Sequence, residues 1–279
     1  NGVLAFEETI LNQFRASMSS IKASASLKNE LLAYQRDFYQ SVRRKKAKGH
    51  YLATIEGDKT RLAEFARVLR GHQITVDLLG KDATVDGTEY KAGATLAIPA
   101  DQIQSTYLSA IWRRQLNFQE NVFYDVSTWT LPLAFGLTHT VEPVRGVATE
   151  KLSEQLSPQP KELIRSSVGY LVDWRDSATP KLLYQLFDTE VKIRVATRPL
   201  TANIKTQGVR SFGYGTLFVS PRLTEDFPED ALKILDSAAQ AGVGVYSVES
   251  STTPVGIDMG SRYFKVISKP NVLLISGAG

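Results

Sequence analysis

The segment YLATIEGDKTRLAEFARVLRGHQITVDLL (residues 51–79) decides how the fold is read. It opens with a short apolar run, YLATI, and closes with another, ITVDLL, each bounded by polar or turn-forming residues as strands are. Between them Asp58 and Thr60 can start a helix over Arg61–Arg70 with an apolar stripe of Leu62, Phe65, Ala66 and Leu69, and Gly71 ends it. Residues 80–93 are turn-rich, with Asp86-Gly87 and Gly93 as punctuation. ATLAIP (94–99) then reads as a third strand, followed by a helix over residues 102–114.

The second half repeats this order. GYLVDW (169–174), VKIRVATRPL (191–200), GTLFVSP (215–221) and GVYSVES (244–250) read as strands, and Pro180–Phe187 and Pro228–Ala241 as helices, with 201–213 as a loop. Tyr51-Leu52 aligns with Tyr170-Leu171, and Ala94-Thr95-Leu96…Pro99 with Gly215-Thr216-Leu217…Pro221, the anchors lying 48 and 51 residues apart. This pattern reads as a divergent internal duplication. A strand–helix–strand rhythm favours parallel sheets with helices on both faces. The expected fold class is therefore α/β: two Rossmann-like or flavodoxin-like modules with mainly parallel sheets, preceded by an N-terminal helical segment.

Working outward, Leu4, Ile10, Leu11, Phe14, Met18 and Ile21 recur at helical spacing, and Leu27, Leu31, Leu32, Tyr34, Phe38 and Tyr39 do so again. Ser24–Ser26 is the expected break in a helical hairpin. The domain reading is a helical connector at 1–47, a first module at 48–147, a polar linker at 148–166 carrying Pro158 and Pro160, and a second module at 167–279. The final NVLLISGAG (271–279) reads as a strand entering a glycine-rich turn, and Asn1 as the start of an excised or processed piece, so the native polypeptide is expected to continue.

Composition removes several chemistries. No cysteine is present, which excludes disulfides, thiolate metal sites and cysteine nucleophiles. The histidines are His50, His72 and His139. A formal charge of +4 over 279 residues is no electrostatic footprint for nucleic acid. The basic run Arg43, Arg44, Lys45, Lys46 and Lys48 reads as a solvated helix end that complements the helix dipole. No window is apolar enough to span a membrane, and no signal peptide is visible.

HTVE at His139–Glu142 has the HxxE spacing that zinc carboxypeptidases use, but no histidine follows to complete the set, and on a strand positions i and i+3 point to opposite faces. SGAG (276–279) lacks the third glycine, helix and acidic residue of a dinucleotide loop. FYDVSTWTLPLAFGL (123–137) reads as a packed helix with Trp129 in the core, or else an exposed interaction surface. Acidic residues gather just beyond strand ends, where ligands bind in open α/β sheets. Glu56, Asp58, Asp173, Asp176, Glu249 and Ser250 are thus the candidate ligand-binding residues. The same positions also suit helix caps. No catalytic or metal-ligating residue is assigned.

The strings FQENVFYDVSTWTLPLAFGL (118–137), DMGSRYF (258–264) and KPNVLLISGAG (269–279) resemble the region that follows the catalytic domain in large secreted bacterial zinc carboxypeptidases of the carboxypeptidase A superfamily. In those proteins the last string opens a domain similar to class I glutamine amidotransferases. The resemblance implies a secreted or periplasmic parent whose zinc ligands lie upstream, no cofactor in this chain, and the upstream peptidase domain as partner, with peptide or glycan as ligand. It implies an accessory, non-catalytic role. The rival expectation is a stand-alone two-lobed ligand-binding module of the periplasm, and a third is a hydrolase built on the clustered carboxylates.

Overall fold

The computed structural model describes residues 5–44, 47–114, 130–152, 163–224 and 226–272. Two helices lead the chain, α1 (Phe6–Ser26) and α2 (Lys28–Arg44). Leu27 (φ −96°, ψ 15°) separates them. The i→i−4 ladder nevertheless crosses the junction, from Leu27 N–H to Ala23 O at 2.8 Å and from Leu31 N–H to Leu27 O at 2.9 Å. A helical hairpin needs a loop of at least two residues to reverse direction. The expected hairpin is therefore an almost continuous arm.

The first module comprises β1 (His50–Thr54), α3 (Lys59–Gly71), β2 (Asp77–Leu79), the hairpin β3 (Ala83–Val85) and β4 (Thr88–Tyr90), β5 (Thr95–Pro99), α4 (Ser105–Trp112), α5 (Leu131–Ala134), β6 (Thr138–His139) and β7 (Thr149–Lys151). The second comprises β8 (Tyr170–Val172), α6 (Thr179–Phe187), β9 (Ile193–Ala196), the hairpin β10 (Leu200–Ile204) and β11 (Gly208–Phe212), β12 (Leu217–Val219), α7 (Glu229–Gln240), β13 (Val245–Ser247) and β14 (Phe264–Ile267). The stretches expected as a turn and a loop, 80–93 and 201–213, thus hold hairpins. The first closes on Asp86 (φ 48°) and Gly87 (φ 75°), the left-handed pair that a two-residue hairpin turn requires.

The sheets run β6-β1-β5-β2-β7 and β13-β8-β12-β9-β14, and every ladder in them is antiparallel. This corrects the Rossmann-like or flavodoxin-like expectation of parallel sheets. The crossover it rested on exists: β1 and β2 both run opposite to β5, so they share a direction, and α3 joins them. The return through a short hairpin, however, sends β5 back between them, so no parallel ladder forms. The same split βαβ unit is built by β8, α6 and β9 around β12.

The two sheet orders match strand for strand, and the registers carry the duplication down to residues. Tyr51 faces Ile98 as Tyr170 faces Val219, and Ala53 faces Leu96 as Val172 faces Leu217. Gln73 (φ 60°) and Glu190 (φ 59°) take left-handed conformations at corresponding points after the crossover helices.

Helices cover one face of each sheet only, which corrects the expectation of helices on both. Tyr51, Ala53, Leu96 and Ile98 pack against Phe65 and Leu69 of α3 and Leu108 and Trp112 of α4. The alternate residues Leu52 and Ala97 point the other way, onto Tyr90 of the hairpin. In the second module α6 and α7 cover Tyr170, Val172 and Val219, while the hairpin covers Leu171 and Phe218. Met259 and Phe264, from the DMGSRYF string, lie in that hairpin-side core. Part of the expected linker belongs to the modules: β7 pairs with β2, and Ser166 Oγ donates to Val248 O at 2.6 Å. Trp129 and the SGAG turn lie outside the described residues.

Trp112 closes the first core. Its ring lies 4.8 Å from that of Tyr51 and its indole N–H donates to Thr140 O at 2.6 Å. Trp112→Ala is expected to destabilise the chain by about 3–5 kcal/mol, from the cavity and the stranded carbonyl together. Urea unfolding followed by circular dichroism measures this, and a loss below about 1 kcal/mol would show that the site collapses freely.

Candidate functional site

The loops after β1 and β8 carry Glu56-Gly57-Asp58 and Asp173-Trp174-Arg175-Asp176-Ser177. Each leads into a crossover helix whose first N–H groups lack intrahelical acceptors. Asp58 Oδ1 accepts from Arg61 N–H at 2.9 Å at the start of α3. Asp176 Oδ1 accepts from Ala178 N–H at 2.9 Å at the start of α6. Asp58 is thus a cap, the second reading that the sequence allowed, while Asp176 holds the N–H of the residue just ahead of α6.

The two aspartates also reach across to each other's module. Asp58 Oδ1 accepts from Ser177 N–H at 3.1 Å and from Ser177 Oγ at 3.0 Å. Asp176 in turn faces Thr60 of the other module, whose polar groups favour its charged form. Both aspartates are buried, at 1% and 3% exposure. Arg61 Nε lies 2.9 Å from Asp58 Oδ2 and balances its charge. Burial pushes the Asp176 carboxyl above its ordinary value and the nearby Asp58 charge adds to this, against the bonds from Ala178 and Thr60.

A second contact runs alongside. The Arg175 guanidinium holds the buried Asp173 carboxylate through two bonds, Nε to Oδ1 at 3.1 Å and Nη2 to Oδ2 at 2.8 Å. Its Nη1 donates to Glu56 Oε1 at 2.9 Å in the other module. Asp173 is the main reason that the Arg175 pKa stands above its ordinary value. Glu56 is 91% exposed, so its ion pair contributes little. Gly57 (φ +78°) lets the arginine cross: a Cβ there would lie 2.9 Å from Arg175 Nε.

Four of the six sequence-derived residues therefore meet at one junction. Glu249 and Ser250 do not join them. In the β13–β8 ladder Val245 faces Val172 and Ser247 faces Tyr170, so Glu249 lies beyond the start of β8, whereas Asp173 follows its end. Glu249 gives its N–H to Asn203 O at 2.9 Å, and Ser250 Oγ pairs with Thr252 Oγ1 at 3.0 Å. Thr60, Arg61, Arg175 and Ser177 complete the junction and escaped the sequence reading. Superposing the two copies at Asp58 and Asp176 was the signal that could have found them.

The junction offers no histidine as a base. His139 Nδ1 lies 3.0 Å from Leu137 O and its ring stands edge-on to Trp112, while His72 stacks on Tyr107. Glu142, its HxxE companion, is exposed. Among the described residues no three His, Asp or Glu side chains are placed to hold a metal ion. No helix among them is long and apolar enough to cross a membrane. No family model, curated protein or solved structure matches the chain.

Asp58→Ala removes a cap and strands the Ser177 donors, at an expected cost of about 2–4 kcal/mol, with Asp58→Asn milder because it keeps the acceptor. Asp176 makes stability depend on pH. Its folded pKa stands above the unfolded value, so the native state takes up the proton first, and ionisation at neutral pH works against the fold. Relative to Asp176→Asn, the wild-type chain should gain stability as pH falls through that raised value and level off below about pH 4. Urea midpoints from pH 7 to 3 check both, and a pH-independent difference would remove the burial argument.

Proposed function

We propose that the chain is an accessory, non-catalytic region of a zinc-carboxypeptidase-like protein of a secreted or periplasmic setting. In this reading the two modules form a rigid body that supports the peptidase domain or presents peptide or glycan to it. The observation that carries it is the junction: Asp58, Asp173 and Asp176 are buried and held by backbone N–H groups, Ser177 and Arg175, and among the described residues no histidine stands beside them as a base. The resemblance of residues 118–137, 258–264 and 269–279 to the post-catalytic region of those enzymes supplies the family. The zinc would belong to the upstream domain, because His139 and Glu142 do not fit a metal site here. The alternative, a two-lobed binding module, needs lobes that open on a hinge. Buried contacts from Asp58 to Ser177 and from Asp176 to Thr60 oppose such opening.

Mass spectrometry for zinc and an assay for release of C-terminal residues from peptides test the reading on one sample of the full chain. Neither metal nor hydrolysis is expected. One zinc per chain with hydrolysis lost in His139→Ala would overturn the proposal.

A further inference from the structure

The helical arm is the one part of the described structure that leaves a row of large apolar side chains in water. Phe6 is 79% exposed, Phe14 62% and Ile21 63%, and Leu31 and Leu32 continue the row beyond the junction. The row has a period: Leu11, Met18, Ala25, Leu32 and Tyr39 recur every seven residues, flanked by Ile10, Leu31 and Phe38. Seven-residue recurrence is the signature of a helix paired with another helix along its length.

The charges on the arm say which helix, and in which direction. Glu7 and Glu8 lie in the first turn of α1, while the sequence places Arg43 and Arg44 at the end of α2. A parallel pair of such arms would set acid against acid and base against base. An antiparallel pair sets each acidic end beside a basic one and opposes the helix dipoles. A hollow of about 330 Å³ lies where the far end of an antiparallel partner would reach. It is lined by Phe38 and Tyr39 of α2 with His72, Ile103 and Tyr107 of the first module.

We propose that the arm pairs antiparallel with the arm of a second copy of this chain, about a twofold axis beside Ser24 and Ala25. In this register Leu11 meets Phe38 of the second copy, Met18 meets Leu31, and Ile10 meets Tyr39 at the hollow. The smallest side chains, Ser24 and Ala25, fall at the crossing, where two backbones approach. The contact is isologous and closes on itself as a dimer. A lipid surface fits less well, because acids are spread along the arm, Glu7 and Glu8 in α1 and Glu30 and Asp37 in α2, among its Arg and Lys, whereas the polar face of an interfacial helix is dominated by Lys and Arg.

Sedimentation equilibrium on the full chain is expected to show a dimer at tens of micromolar, and Met18→Glu a monomer whose modules melt as in the wild type. The absence of native cysteine allows the direction to be read chemically. Under mild oxidation a mixture of Leu11→Cys and Phe38→Cys chains should form a covalent heterodimer, with little homodimer of either. A chain that stays monomeric, with or without flotation on anionic vesicles, would overturn the proposal. So would Leu11→Cys chains that cross-link to themselves as readily as to Phe38→Cys chains, since that outcome marks a parallel pair.

Discussion

Two carboxylates, Asp58 and Asp176, hold the body of this protein together by each serving two modules at once. A helix start needs acceptors for its free N–H groups, and a buried carboxylate needs donors for its oxygens. Within one module each requirement would be met only in part. The exchange goes far towards both, because Asp58 caps α3 and takes the donors of Ser177, while Asp176 takes the Ala178 N–H just ahead of α6 and faces Thr60 of the other module. The cost is two like charges near one another in a poorly hydrated junction. Arg61 offsets the Asp58 side, and burial, with the Asp58 charge adding to it, holds the Asp176 pKa above its ordinary value. Removing one partner from such an arrangement is more damaging than never having built it, since the other is left buried and unpaired.

That exchange is possible only because the two modules are copies. Each places an acidic loop at the end of its first strand and a helix start immediately after it. Brought face to face, equivalent loops supply mutual donors and acceptors without any further invention. The end of the linker is tied to the second module, with Leu163 N–H donating to Asp236 Oδ1 at 3.1 Å and Ser247 Oγ donating to Ile164 O at 2.5 Å.

The central strands and the crossover helices were legible from sequence, whereas the two hairpins, the edge strands β7 and β14 and the strand directions were not. Periodicity located α3, α6, α7 and most central strands, because an apolar stripe such as Leu62, Phe65, Ala66 and Leu69 has one structural reading. Strand direction has no such marker. Leu52 to Ala53 and Leu96 to Ile98 are buried on both faces, the pattern usual for parallel sheets, yet the hairpin β3–β4 covers the face that a helix would cover in a doubly wound fold. Whether β5 joins an edge or enters the middle is decided by the tertiary return of the chain. The site divides in the same way. Glu56, Asp58, Asp173 and Asp176 are singled out by their place after strands, while the reach of Arg175 to Glu56 and of Asp176 to Thr60 spans more than one hundred residues, which no local pattern records.

The arm and the body differ in how far their interactions are already satisfied. In the body, Trp112, Leu69 and Leu186 are sealed, and the junction carboxylates have donors. In the arm, Phe6, Phe14 and Ile21 face solvent. A helix whose apolar side chains stay in water gains little from packing, and packing is what stabilises most helices in proteins. Burial of each large side chain contributes about 1.5–3 kcal/mol, so the row as a whole is a substantial unsatisfied driving force. It belongs to an assembly step that follows folding of the modules. The acidic start and basic end of the arm give that step its direction, and a second copy of the chain supplies both complements at once.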